Sequence, residues 1–200
     1  MFYSIFKVIC RFVFSIIFRT RVIGAENIPL EGSFILAANH LSNWDPPFLG
    51  TFINREVSYM AKEELFKNPI FAAAIRALHV FPVKRGTADK NAIKHAVKLL
   101  KDGQCLGIFP EGTRSKTGKL GKAEAGVGLI AAMTKAPVIP AAIIDTNKIF
   151  GEKFFPQLGV IYGKPIYFNG NIKDKEALAS FSQSIMTEIK ALQDSYHEMY

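Results

Sequence analysis

From residue 33 onward the chain alternates short apolar runs with polar loops, and most of these runs are apolar at every position rather than at alternate ones. Ser33 to Ala38, Val57 to Ala61, Val80 to Val83, Cys105 to Phe109, Val138 to Ile144 and Gly159 to Tyr162 have the length of strands. Unbroken apolar character is what strands covered on both faces show. Between them, Ile93, Ala96, Val97 and Leu100 recur at helical spacing, as do Leu178, Phe181, Ile185, Ile189 and Leu192 near the C-terminus. Strands alternating with helices predict an α/β domain with a mostly parallel sheet flanked by helices.

The first twenty residues follow another pattern. Ser4, Lys7, Arg11, Ser15 and Arg19 fall at spacings of three and four, which on a helix is one narrow stripe. Phe2, Ile5, Phe6, Ile9, Phe12, Val13, Ile16 and Ile17 cover the rest of the surface. A signal peptide has an unbroken apolar core of roughly 7 to 15 residues, and here the apolar runs are interrupted too often. A spanning helix would bury Lys7 and Arg11 in hydrocarbon, at about 2.5 to 3.5 kcal/mol each near the bilayer centre. The pattern predicts a helix lying in the membrane interface with its basic groups at phosphate level; a helix covering the domain's own core is the alternative. Residues 1–24 are thus expected to be an amphipathic membrane-interface segment, followed by a linker with Gly24 and Pro29, and residues 25–200 an α/β domain. The expected location is monotopic on a membrane, at the cytoplasmic face of the inner membrane if the source is bacterial.

Composition narrows the partners. The formal charge of +8 favours something anionic, but the basic residues are dispersed and no nucleic-acid-binding pattern accompanies them, so lipid or phosphate is expected ahead of nucleic acid. Two cysteines in apolar runs suggest no disulfide framework, and the four histidines have no ligands at metal-site spacing, so neither metal nor cofactor is expected.

In parallel sheets, ligands gather beyond the C-terminal ends of the strands. Three loops of that kind carry polar clusters: Asn39 to Asp45, Lys84-Arg85-Gly86, and Pro110 to Lys122. In the first, His40 directly follows an apolar run and Asp45 comes five residues later. A hydroxyl becomes a competent nucleophile when a base takes its proton, and imidazole suits that task near neutral pH. A carboxylate on the other ring nitrogen would fix the tautomer. The residues also fit a plainer account, with Asp45 as a helix N-cap before Pro46 and His40 as a hydrogen-bonded loop residue. In the long loop, Arg114 offers a planar fork for phosphate, and Thr113, Ser115 and a backbone freed by Gly112 could add donors. That suits a dianionic phosphomonoester, or else a solvated basic loop. Glu111 fits an anion site only if it orients Arg114 or a substrate hydroxyl. Lys84 and Arg85 add two cations at a strand end, and the run around Pro140 reads as a core strand. No serine elbow, Walker loop or dinucleotide fingerprint is present.

Together and in this order, these clusters resemble the glycerolipid acyltransferase family. Asn39, His40 and Asp45 match its Asn-His-x4-Asp block, Phe81 to Arg85 its second, Phe109 to Ser115 its Phe-Pro-Glu-Gly-Thr-Arg-Ser block without a change, and Val138 to Ile143 its proline-containing fourth. The likeness spans roughly residues 25 to 165, and the first and third blocks together are far more specific than either alone. It implies that His40 is a general base oriented by Asp45. It implies a glycerol phosphate site at Arg85, Glu111, Gly112 and Arg114, to which Lys84 and Thr113 are added here, and an acyl-binding region at Pro140. It also implies an acyl thioester of acyl carrier protein or coenzyme A as donor and a lysophospholipid as acceptor, the sn-2 hydroxyl of 1-acyl-sn-glycerol 3-phosphate first. Glycerol 3-phosphate, another lysolipid, or a non-catalytic module holding anionic lipid are the alternatives.

Overall fold

The computed structural model describes residues 2–84, 89–151 and 155–200; Arg85 and Gly86 lie outside them. Among the described residues, seven strands form one sheet in the order β1-β7-β6-β2-β5-β3-β4. They are β1 (Arg21–Ile23), β2 (Phe34–Ala38), β3 (Val57–Lys62), β4 (Val80–Val83), β5 (Cys105–Ile108), β6 (Val138–Ile144) and β7 (Gly159–Tyr162). Every pairing is parallel except that of β6 with β7. The predicted fold class therefore holds, with one strand more than the apolar runs gave. β1, which falls in the stretch expected to hold only the interface segment and linker, pairs with β7 at the sheet edge. Three residues are too few to show a period.

Side chains alternate across the sheet, and both faces are covered. Phe34, Leu36 and Ala38 of β2 and Ile139, Ala141 and Ile143 of β6 pack on one face with Phe14, Phe18, Phe48 and Leu49. These last come from the π-helical turn (Val13–Ile17) that continues α1 (Phe2–Phe12), from the residue just beyond that turn, and from α2 (Asp45–Thr51). On the other face Ile35, Ala37, Leu106 and Ile108 meet the apolar sides of α4 (Lys90–Lys101), α5 (Gly126–Thr134) and α6 (Lys175–Met199). α3 (Pro69–Ala77) joins β3 to β4.

Pro140 sits in the middle of β6, where a missing N–H would ordinarily break the ladder. The segment after β7 detours there: Gly163 N–H donates to the Pro140 carbonyl at 2.7 Å, and regular exchange resumes between Val138 and Ile166.

α1 is amphipathic, but Lys7 departs from the expected outer polar stripe. Its ammonium turns inward and donates to the carbonyls of Ile53 (2.5 Å) and Arg55 (2.9 Å) beyond the end of α2. Carbonyls at a helix end need donors, and a long cation supplies them. Burial, reinforced by Arg11, lowers the Lys7 pKa. Opposite, Phe2, Ile5, Val8, Ile9, Phe12 and Ile16 are each between 52% and 68% exposed. The helix thus covers the domain's core with one side and presents an apolar side outward. No helix among the described residues is long and apolar enough to cross a membrane.

Candidate active site

The site is built where β2 runs out. The main chain leaves the sheet after Ala38, yet the ladder continues for one more step through a side chain: Asn39 Nδ2 donates to the Ile143 carbonyl at 2.9 Å, and Ile143 N–H donates to Asn39 Oδ1 at 2.7 Å. A carboxamide carries the same donor–acceptor pair as a peptide unit. His40, the next residue, is consequently fixed at the C-terminal edge. Its N–H donates to Glu111 Oε1 (3.1 Å), and its carbonyl accepts from Ser115 N–H (2.8 Å). Its ring lies flat on Phe109, with centroids 4.1 Å apart and planes 17° from parallel.

Asp45 is fully buried. Its Oδ2 stands 2.6 Å from His40 Nδ1 and accepts from the N–H groups of Leu41 (2.5 Å) and Ser42 (2.7 Å), and its Oδ1 accepts from the Thr146 hydroxyl. An ionised carboxylate only accepts, so the imidazole donates from Nδ1 and keeps Nε2 as an acceptor. The N-cap alternative is not what forms: α2 has no side-chain cap, and the Asp45 carboxylate is turned back on the loop that carries His40.

The long loop is braced to the same point. Glu111 accepts from His40 N–H with one oxygen and from Gly121 N–H (2.9 Å) with the other, so it ties the two loops together while retaining free lone pairs. Gly112 adopts φ +67°, a left-handed conformation suited to glycine, as its N–H closes a turn onto the Phe109 carbonyl. Thr113 and Arg114 are exposed, and Arg114 forms no ion pair among the described residues.

The structure therefore brings His40, Asp45, Glu111 and the Gly112–Arg114 turn to one edge. The Lys84 ammonium lies 4.0 Å from Glu63, while its N–H donates to Asp89, and Arg85 lies outside the described residues. Pro140 is buried within β6, three positions before the residue that Asn39 binds.

Sequence reasoning did not find Thr146, which closes the second oxygen of Asp45 from 101 residues away. Its only signal is position, just past the end of β6 at the same sheet edge. It also did not find Tyr59, whose ring lies parallel to Phe109 on the path to His40, at 6.3 Å and 17°. Gly107 was a possible flag, since a Cβ there would stand 2.1 Å from the Tyr59 ring. Burial pushes the Tyr59 pKa well above its ordinary value, and its hydroxyl has no hydrogen-bond partner among the described residues.

A buried, fully hydrogen-bonded carboxylate behind a histidine, at the C-terminal edge of a mostly parallel sheet and beside a cationic loop, fits proton transfer at an anionic substrate. The family model for acyltransferases matches residues 19–144, and the chain belongs to this family of enzymes. It is 34% identical over 185 residues to the 1-acyl-sn-glycerol-3-phosphate acyltransferase of Bacillus subtilis, covering 90% of each chain. It is 30% identical over 173 residues to the enzyme of that name from Streptococcus pneumoniae, covering 84% of this chain and 64% of that one. Its fold superposes on the crystal structure of the 1-acyl-sn-glycerophosphate acyltransferase PlsC from Thermotoga maritima with a TM-score of 0.74 and 28% identity, covering 95% of this chain and 79% of that one.

Proposed function

We propose that the chain moves a fatty acyl group from an acyl thioester to the sn-2 hydroxyl of 1-acyl-sn-glycerol 3-phosphate, giving phosphatidic acid for phospholipid synthesis. The observation that carries the mechanism is the 2.6 Å contact of His40 Nδ1 with the buried Asp45, which leaves Nε2 as the acceptor. The names of the relatives support the acceptor.

In this reading Nε2 takes the proton of the acceptor hydroxyl as its oxygen attacks the thioester carbonyl. Asp45 stabilises the imidazolium that forms. The tetrahedral intermediate then expels the thiolate, which takes the proton from His40, so the enzyme ends as it began. No acyl-enzyme is required, and the donor is acyl carrier protein or coenzyme A. Arg114, with the Gly112 and Thr113 turn, Lys84 and Arg85, receives the phosphate; Glu111 fixes the loop and accepts from a substrate hydroxyl. The acyl-binding role of the stretch around Pro140 rests on the family resemblance.

The outward apolar side of α1 supports a monotopic position on the membrane, at the cytoplasmic face in a bacterium. The site would then sit near headgroup height. The test is thioester consumption with lysophosphatidate set beside glycerol 3-phosphate and other lysolipids, for the native chain and His40→Ala. Preference for lysophosphatidate, abolished in a folded His40→Ala variant, is the expected result. Near-native turnover by that variant would overturn the mechanism.

A further inference from the structure

α3 is a surface helix without a polar face. Of its nine residues only Ala72 is buried and only Arg76 is charged. Ile70 is 83% exposed and Phe71 48%, and Leu65 is exposed just ahead of them. An ordinary surface helix turns one apolar stripe to the core and polar residues to water. α3 instead owes its form to local signals: Asn68 accepts from the N–H groups of Ile70 (3.0 Å) and Phe71 (3.1 Å), and Pro69 starts the first turn. A helix this short with one buried residue is marginal by itself, so its apolar surface needs a cover.

Two observations say what covers it. α3 ends beside the start of α1, where the rings of Tyr3 and His79 stack at 5.0 Å and 16°, and α1 there exposes Phe2, Ile5 and Ile9. Cations accompany both helices, Lys67 and Arg76 at the two ends of α3 and Arg11 in the last turn of α1; Glu63 and Glu64 precede α3, the former near Lys84. Apolar side chains bordered by cations match the acyl and phosphate levels of an anionic bilayer. A bilayer takes both helices at once with no need for a complementary shape.

We propose that α3 is a second bilayer contact, and that the protein rests on the membrane through α1 and α3 together. Two contacts fix the tilt of the domain, which one helix lying in the plane does not. This proposal rests on the reading of α1 as an interfacial helix. Because the start of α3 follows the C-terminal end of β3, the second contact lies toward the edge that carries His40.

The test uses the full chain and vesicles of phosphatidylcholine mixed with phosphatidylglycerol. Ile70→Asn with Phe71→Asn should weaken partitioning roughly tenfold to hundredfold, while turnover of a short-chain lysophosphatidate dispersed in water stays within about twofold of native. Ile70→Asn alone, at a side chain almost wholly in solvent, keeps the test available if the double variant fails to fold. Unchanged partitioning in the α3 variants, alongside loss of binding in Ile5→Asp, would overturn the role of α3 and leave that of α1. Unchanged partitioning in all of them would overturn both. Sedimentation showing a dimer that the α3 variants dissolve, with vesicle binding unaffected, would assign this surface to a second copy and also overturn the proposal.

Discussion

His40 with Asp45, and the turn that carries Arg114, share one sheet edge but are built in opposite ways. Asp45 is sealed from solvent and accepts from four donors drawn from its own loop and from Thr146, two residues past the end of β6. Arg114 is exposed and unpaired among the described residues, on a turn held at its root by Glu111 and at its far side by the Ser115 hydroxyl's bond to the Lys119 carbonyl. The difference suits the two tasks proposed for them. Proton transfer falls off steeply with misorientation, so the imidazole has to be oriented in advance. Attraction between a guanidinium and a phosphate tolerates movement, and an exposed cation can reach a substrate arriving from a membrane.

The division has measurable consequences. His40→Ala should lower turnover about thousandfold or more with vesicle binding retained, as thioester consumption and vesicle sedimentation would show. Asp45→Asn should cost roughly a hundredfold or more in kcat, because an amide opposite Nδ1 no longer enforces the tautomer, and it should also lower the midpoint of thermal unfolding. Arg114→Ala should act on the other side of the division: KM for a phosphomonoester acceptor rises about tenfold to a hundredfold, stability stays within about 0.5 kcal/mol, and Lys restores only part of the loss. A loss carried by kcat with KM unchanged would break the distinction. Thr146→Val leaves Asp45 Oδ1 without its donor and should cost about 1 to 3 kcal/mol of stability in a denaturant titration, with a kcat loss of about tenfold if orientation falls in proportion. The smallest effect is expected at Tyr59. Removing its hydroxyl, unpartnered among the described residues, in Tyr59→Phe should leave turnover intact and raise stability by up to about 1 kcal/mol.

How much of this was legible depended on sequence distance. β2 and β6 announced themselves because both faces of the sheet are covered, which leaves no polar position to break the run. His40 and Asp45 were readable together because only four residues of one loop separate them. Thr146 was not, since no local pattern connects two residues that meet only once β2 and β6 pair. The helices α3 and α5 gave no 3.6-residue period for opposite reasons: α5 is buried beneath α6, where Gly128 N–H donates to the Ser182 hydroxyl at 3.1 Å, and α3 is apolar all round in the open. Lys7 reads from sequence as a cation at phosphate level because its spacing matches the polar stripe; the carbonyls it satisfies belong to residues 46 and 48 positions further on.

The carboxamide of Asn39 bears on time as well as on place. Loops that carry catalytic groups commonly move on nanosecond to microsecond scales, whereas strands inside a sheet open only with the global fold. Because Asn39 stands in for a peptide unit against Ile143, the residue before the imidazole belongs to the slow part of the molecule although it lies beyond the strand. The Ile143 amide should therefore exchange with deuterated water as slowly as those in the interior of β6, and Asn39→Asp, which presents a carboxylate to a carbonyl, should bring its exchange to loop rates before any other amide of the strand.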